Sequence, residues 1–415
     1  MLLSGHWASA RTLISLLAAP ALAIGTLAVA TPAQAQVIKP EFCGMHDIDW
    51  TSSPTVPVGS ANLTTAGTYW PSIETLPGLF DWTRLDEQVA AAESARAQPM
   101  IVLGQTPWFH STSPASDDYA DYMPDIDAWT TYVTAVAQRY GATLDYQIWP
   151  EPNIEQNWKG SPAQMAQLTV VAAKAIKAAA GMQARVVSPA VALRLASQRA
   201  WAIEYFKQSI DGTRVDRYLD AIAVDPFPEQ EGTPEDSFRL MTSITQELAR
   251  IGVRTPLWNN EINYGVVGGG ATTKTTYSVG KEQSYVIRTF VLSAAARMQR
   301  TYWLGWFRSP ELAVNMTDSS GQVAAPGRSY EVVRSWLNTT NLRGCSSQSS
   351  GLWVCTASKG RSEVRRIYWN PSGRTAITTP PSTRRVENQE GGVSRRAGSR
   401  RIRVDYRPIM VASRR

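Results

Sequence analysis

The sequence predicts an α/β chain in which a (β/α)8 TIM barrel is followed by a small antiparallel β-sandwich. Three observations carry this expectation. Short apolar runs alternate with helical segments from residue 42 to residue 337, a rhythm that implies parallel βα units. Eight such runs occur, which suits a closed barrel better than an open sheet. Beyond Leu342 the helical pattern stops, and short β-type runs separated by turn signals replace it.

The first strand is read over 42–49 and the second over 61–67. The connection between them is short, holds Pro54 and Pro57 and shows no helical spacing, so the first βα unit is expected to be degenerate. A helix over 85–97 sets Leu85, Val89, Ala92 and Ala95 on one face. Residues 99–103 (Pro-Met-Ile-Val-Leu) make a buried strand. The helix over 129–140 turns Trp129, Tyr132, Val133 and Val136 inward, and a strand over 144–149 follows. Ser161 reads as an N-cap with Pro162 at the first helical position, opening an Ala-rich helix that Gly181 stops. Strands over 184–191, 219–224, 255–262 and 301–307 then alternate with helices over 200–210, 235–251, 281–298 and 330–337, and Gly252 supplies one more stop. In the last region, 352–357, 364–370, 401–406 and 409–412 read as strands. The division is therefore 1–35 leader, 36–340 barrel and 341–415 sandwich, with room for the sandwich to recruit strands from the N-terminal side.

The leader carries an export pattern. Arg11 ends a short polar region, an apolar stretch runs over 12–30, and Ala33-Gln34-Ala35 fits cleavage before Gln36. An uncleaved anchor is the alternative, since a span needs about 20 apolar residues. Pro20, Pro32 and the small-residue site favour cleavage. No later segment reaches spanning length, so the expected chain is secreted or envelope-associated, without an integral span. Cys345 and Cys355, ten residues apart, are expected to form a disulfide after export. Cys43 reads as a buried free thiol. With only three His, this spacing argues against zinc; no metal or other cofactor is expected.

Charge is unevenly spread. From Arg343 onward sixteen Lys or Arg face four Asp or Glu, while the whole chain carries +6, so the remainder is acidic. The basic tail either contacts an anionic envelope polymer or is a solvated Arg-rich surface. No nucleic-acid-binding motif accompanies it, so no nucleic-acid partner is expected. Fifteen Trp suit a large core or a sugar-stacking cleft.

Two segments carry chemistry. Tyr146-Gln147-Ile148-Trp149-Pro150-Glu151-Pro152-Asn153 is a strand that runs into a carboxylate held between two prolines, which stiffen the strand end. Leu257-Trp258-Asn259-Asn260-Glu261-Ile262-Asn263-Tyr264-Gly265 again delivers a Glu from a strand. The two Glu are 110 residues apart, or three βα units of roughly 35 residues, which puts them on strands four and seven. Those strands face each other across a barrel mouth. Two carboxylates about 5–5.5 Å apart support double-displacement glycoside cleavage, one protonated to serve the leaving oxygen and one ionised to attack the anomeric carbon.

The motif Trp149-Pro150-Glu151-Pro152-Asn153 is similar to the Trp-Asn-Glu-Pro-Asn acid/base motif of clan A glycoside hydrolases, particularly family 39-like members, and 258–265 resembles their nucleophile strand. Residues 70–74 and 78–86, Leu103-Gly104-Gln105-Thr106-Pro107-Trp108, and Tyr302-Trp303-Leu304-Gly305-Trp306 resemble the family's second, third and eighth strand ends. The resemblance implies Glu151 as acid/base, Glu261 as nucleophile and Trp306 as the floor of the sugar site. Trp108 is read as either site or core. Asp225 reads as a sugar contact or a structural pair, Tyr264 as a partner of Glu261 or a packing residue, and His46 as a subsite or loop histidine. Asn153 is expected to brace its loop. Three positions depart from the family: Pro150 replaces an Asn, Asn62 stands where an Arg is common, and Asp225-Pro226-Phe227 replaces a His-Tyr-type pair.

The expected function is an exported retaining glycosidase acting on a polysaccharide or oligosaccharide. A catalytically weakened carbohydrate-binding protein of the envelope is the alternative, and a structural envelope protein is a third reading. Sugar, linkage, ring form and endo or exo action are not encoded legibly.

Overall fold

A computed structural model of the chain describes residues 36–46, 49–52, 54–64, 67–267 and 273–415. The export leader read over 1–35 lies outside the described residues. Eight staves form the barrel: β1 (Cys43–His46), β2 (Ser60–Asn62), β3 (Gln98–Val102), β4 (Asp145–Gln147), β5 (Arg185–Val187, resuming at Val191–Ala192), β6 (Ile222–Asp225), β7 (Leu257–Ile262) and β8 (Thr301–Leu304). Each pairs in parallel with its neighbours, and β8 returns to β1. The resumed part of β5 pairs with β6, and a Val187–Ala221 bridge completes the ring. The break in β5 falls at Pro189, which has no N–H for the ladder. Ser188 Oγ bridges the gap by accepting the Ala223 N–H at 3.0 Å.

Among the described residues, seven helices of three turns or more surround the sheet: α1 (Thr83–Ser94), α2 (Ile126–Tyr140), α3 (Pro162–Ala180), α4 (Ala196–Lys207), α5 (Pro234–Arg250), α6 (Val279–Ala295) and α7 (Ala325–Leu337). Between β1 and β2 the described residues hold only a 3-10 turn, Trp50–Ser52. α3 shows how local chemistry sets an element. Ser161 Oγ accepts the Gln164 N–H at 3.2 Å, Gln164 Oε1 accepts the Ser161 N–H at 2.8 Å, and Gly181 ends the helix at φ 85°. Among the described residues, no helix is long and apolar enough to cross a membrane.

Period-two alternation along each stave divides the core. Met100, Ala223, Trp258 and Tyr302 form one cluster that fills the lumen. Ile101, Ile222, Val224 and Trp303 belong to the larger cluster under the helices. Gly44 makes room for this filling, since a Cβ there would lie 2.6 Å from the Tyr302 ring. At the closed end, buried Asp145 pairs with Arg300 at 2.6 Å and Arg185 at 2.7 Å. Arg300 also covers the Trp258 ring at 4.1 Å.

The C-terminal region is two-layered. Its larger sheet holds β9 (Thr340–Ser347), β10 (Trp353–Lys359), β11 (Glu363–Trp369), β13 (Thr383–Asn388), β14 (Val393–Ser394) and β16 (Ile409–Arg414), and β9 also pairs with Gln36–Val37. A ribbon of β12 (Thr375–Thr378) and β15 (Arg401–Val404) makes the second layer. Cys355, Ala357, Ile367, Trp369, Met410 and Ala412 join the main core on the barrel side. Leu352, Tyr368, Val386 and Val411 meet Ile377 and Val404 of the ribbon on the other. Cys345 and Cys355 face each other across β9 and β10 and are disulfide-bonded, whereas Cys43 is free and buried, its thiol pushed up to about 12 by desolvation.

Candidate active site

The barrel mouth holds a cavity of about 570 Å³, within the size range of small-ligand sites. Glu151, Asp225, Glu261 and Leu304 line it from the ends of staves four, six, seven and eight. Ala192 at the end of β5, Gln198 in the first turn of α4, and Arg194, Phe227, Glu229 and Val267 in the loops after β5, β6 and β7 extend the wall. A smaller cavity of about 390 Å³ includes Arg185, Trp258 and Arg300 of the barrel's opposite end; it brings no pair of carboxylates together.

Backbone geometry aims both glutamates. Glu151 adopts φ 34°, a left-handed conformation that non-glycine residues rarely take, and it does so immediately before Pro152. Behind it Trp149 is clamped by Trp129 and Trp158, with its Nε1–H donated to Asn157 O at 2.9 Å. Gly104 leaves space beneath: a Cβ there would lie 3.0 Å from the Trp149 ring and 3.3 Å from Pro150. On β7 the register advances three residues, Asn259 to Ile262, while β8 advances two. This bulge places Asn260 and Glu261 consecutively on the mouth side. Asn260 accepts from Asn62 at 3.4 Å, and Glu261 Oε2 lies 3.2 Å from His46 Nδ1. That approach is close but not a well-aligned hydrogen bond, and neither His46 nitrogen, both buried, has a hydrogen-bond partner among the described residues.

The electrostatics separate the carboxyls. Burial first, and then the charge of Glu261, push Glu151 up to about 8, so it stays protonated at neutral pH; the neighbouring Asp225 carboxyl, and after it the charge of Arg194, oppose this. Asp225, 1% exposed, is also driven well above the ordinary carboxylate range by burial and by Glu151 and Glu261. Asp225 therefore belongs to the cluster at the mouth. Its oxygens lie near Glu151 and Asn260, yet neither forms a well-aligned hydrogen bond among the described residues.

The other expected residues divide. His46 joins the site. Asn153 braces it: its Nδ2 donates to Ala192 O at 2.8 Å and Gln198 O at 3.1 Å, and its Oδ1 accepts the Ala192 N–H at 3.0 Å. Trp306 stands elsewhere. Gly305, at φ 82°, turns the chain directly after β8, and Trp306 packs into the main core at 1% exposure, leaving no ring face for a sugar. Tyr264 is buried, and its hydroxyl shares a 2.7 Å hydrogen bond with Thr289 of α6 instead of reaching Glu261. Trp108 is 56% exposed on a 3-10 turn after β3 and does not line the cavity. Asn62 holds Asn260 and also accepts from the Thr64 backbone at 3.0 Å, so it steadies the strand beside Glu261 without supplying charge.

Two residues were not anticipated. Tyr69 lies within the fields of both glutamates, and burial first, then Glu261 and Glu151, raise its hydroxyl pKa. Its signal is faint: it stands one residue before the Trp70-Pro71 segment. Arg194 lines the cavity from the loop after β5, where neither periodicity nor motif marks it.

No family model matches the sequence, and no curated protein matches it. Solved structures do. Among them are glycoside hydrolases of families 39 and 30 that share this fold over about nine-tenths of the chain. A family 39 glycoside hydrolase from the gut symbiont Bacteroides cellulosilyticus WH2 aligns with TM-score 0.69 and 14% identity, covering 90% of this chain and 81% of that one. A family 39 β-xylosidase from Caulobacter crescentus gives TM-score 0.63 at 15% identity, with 92% and 98% covered. A family 30 endoxylanase from Clostridium papyrosolvens C71 gives 0.62 at 12%, with 92% and 98% covered. At these identities the likeness is one of fold, and it agrees with the family 39-like resemblance of the two Glu motifs.

Proposed function

We propose that the chain is an exported retaining glycoside hydrolase, with Glu261 as nucleophile and Glu151 as acid/base. One observation supports this reading above others: two glutamates from staves four and seven line one mouth cavity, and the environment raises one of them enough to hold a proton. The Glu261 carboxylate attacks the anomeric carbon. The bond to the leaving oxygen breaks as Glu151 delivers its proton there. Water then attacks the glycosyl–Glu261 ester, Glu151 takes the water's proton, and the anomeric configuration is retained. His46 orients Glu261, and Asp225 supplies a neutral hydroxyl to a sugar oxygen. The substrate is a polysaccharide or oligosaccharide outside the cell. Arg401 and Arg403, exposed on the outer face of the ribbon, hold the enzyme to an anionic envelope polymer.

The second reading, a carbohydrate-binding protein with weakened catalysis, is favoured by the replaced supporting residues Pro150 and Asn62. The mature protein would be assayed on a panel of aryl glycosides and envelope polysaccharides beside Glu261→Ala and Glu151→Ala. An enzyme loses nearly all turnover in the first variant. In the second, an activated aryl leaving group partly restores the first step, because it needs little protonation. No turnover by the wild type, with sugar affinity kept in both variants, would favour the binding protein. Inversion at the anomeric carbon would remove the double displacement.

A further inference from the structure

Arg194 is out of balance with its surroundings. It is half-buried in the wall of the mouth cavity, and its Nε is buried without an acceptor among the described residues. The other ionisable residues lining that cavity are all carboxylic acids: Glu151, Asp225, Glu229 and Glu261. None of the ion pairs among the described residues uses the Arg194 guanidinium. A guanidinium stays charged in any protein setting, and leaving a buried donor unsatisfied is costly. The fully buried arginines of this chain are paired, Arg288 with Glu235, Arg300 with Asp145 and Arg365 with Glu363, while the half-buried Arg334 and Arg400 share with Arg194 an Nε that has no acceptor among the described residues; of these three, Arg194 is the one that lines the mouth cavity. Arg194 is left open toward a cavity.

Its place in the cavity fixes what it would meet. The acid must stand beside the leaving oxygen, so the leaving group lies on the Glu151 side. Arg194 influences Glu151 electrostatically, and it lines the same cavity as Ile154 of the loop after β4, Leu195 of the loop after β5 and Gln198 in the first turn of α4. We propose that Arg194 is a specificity residue that receives an anionic substituent, a carboxylate or a sulfate, on the sugar at the leaving-group side of the scissile bond. Both groups present paired oxygens that a guanidinium fork can bind bidentately. Without the cation, the carboxylic acids of the cavity would leave such a substituent unmatched. The inference rests on the glycosidase reading and gives the site a substrate class.

The test uses aryl glycosides that differ only in the leaving group: 4-carboxyphenyl, 4-sulfophenyl and neutral 4-(methoxycarbonyl)phenyl, on each glycone the wild type accepts. Arg194→Leu is expected to lose at least tenfold in kcat/KM on the charged leaving groups and less than twofold on the ester. The larger loss on the carboxylate assigns a uronate, and on the sulfonate a sulfated sugar. Equal losses on all three, with the alkaline limb displaced on the ester as well, would mean that Arg194 acts only through Glu151, and the proposal would fall. It would fall too if Arg194→Leu changed nothing. If the wild type cleaves none of these glycosides, the glycosidase reading fails separately. Calorimetry then decides the inference: oligogalacturonate must bind the wild type more tightly than its methyl ester does, and Arg194→Leu must erase that difference. Equal affinities in the wild type would overturn it.

Discussion

Glu151 holds a left-handed backbone and a retained proton at one position, and both conditions cost folding free energy. Strained backbone of this kind costs on the order of 1–3 kcal/mol and persists only where the surroundings enforce it. The proton has a sign that can be worked out. The carboxyl rises from the ordinary 4.5 to about 8, so the folded chain keeps a proton that the unfolded chain sheds. The contribution to stability is therefore complete below about pH 4.5 and is lost as pH climbs toward 8. Glu151→Gln, which never ionises, should raise the melting temperature at pH 7 and change it little at pH 4. Turnover of substrates with poor leaving groups should fall above about pH 8, while activated aryl glycosides should show a flatter alkaline limb. A limb that ends near pH 5 for both would contradict the assignment of the acid. His46 makes a different prediction. Its ring abuts Glu261, so His46→Ala should misplace that carboxylate and lower kcat by roughly ten- to a hundredfold with modest change in melting temperature. Glu151 was legible because proline and strand signals converge on it, and Glu261 because a second strand delivers a Glu three βα units later. Tyr69 and Arg194 were not, because a loop side chain has no period and its direction depends on neighbours distant in sequence.

At the scale of elements, the site depends on irregularities within regular strands. The β7 bulge puts Asn260 and Glu261 on one side, and Gly104 leaves the space into which Trp149 and Pro150 settle. Gly104→Val should push the Trp149 ring and carry Glu151 with it. The expected result is a loss of at least tenfold in kcat/KM, larger than the accompanying loss of stability predicts, read from kinetics and thermal melts on the same sample. The caps and stops of α3 were visible in sequence because Ser161, Pro162, Gln164 and Gly181 act locally. The run 184–191 was read as one strand, yet Pro189 divides it, since a ladder donor is absent whatever the hydropathy. Four strands of the sandwich, Thr340–Ser347, Thr375–Thr378, Thr383–Asn388 and Val393–Ser394, escaped because they are short of apolar residues and bury one face at most. Trp306 and Tyr264 were drawn toward the site by proximity along the chain, whereas the turn at Gly305 and the hydroxyl of Thr289 direct them into the core.

Across the whole molecule, the barrel and the C-terminal sheet share polar and apolar contacts too extensive for independent folding. Glu235, at the start of α5, accepts from Arg288 Nε of α6 at 2.9 Å and from Trp369 Nε1 of the sandwich at 2.7 Å. Trp336 Nε1 of α7 donates to Glu387 at 2.8 Å, and Ser284 Oγ donates to Tyr406 O at 2.6 Å. Trp369, Met410 and Ala412 bury their side chains in the barrel's own core cluster. A single thermal transition should therefore be seen by circular dichroism and by Trp fluorescence. The Cys345–Cys355 disulfide closes a short loop between strands already paired, so reducing it should lower that one transition by about 2–3 kcal/mol without splitting it. Glu235→Leu tests the coupling more directly. It strands the Arg288 charge among buried groups and removes the acceptor of Trp369, and breaking a buried pair of this kind costs about 3–5 kcal/mol. If the two parts fold as one, the variant's single transition moves down by several degrees and active-site titration shows fewer competent molecules at the growth temperature. Two separated transitions in this variant or in the wild type would mean that the sandwich folds alone, and the contacts through Glu235 would then serve docking only.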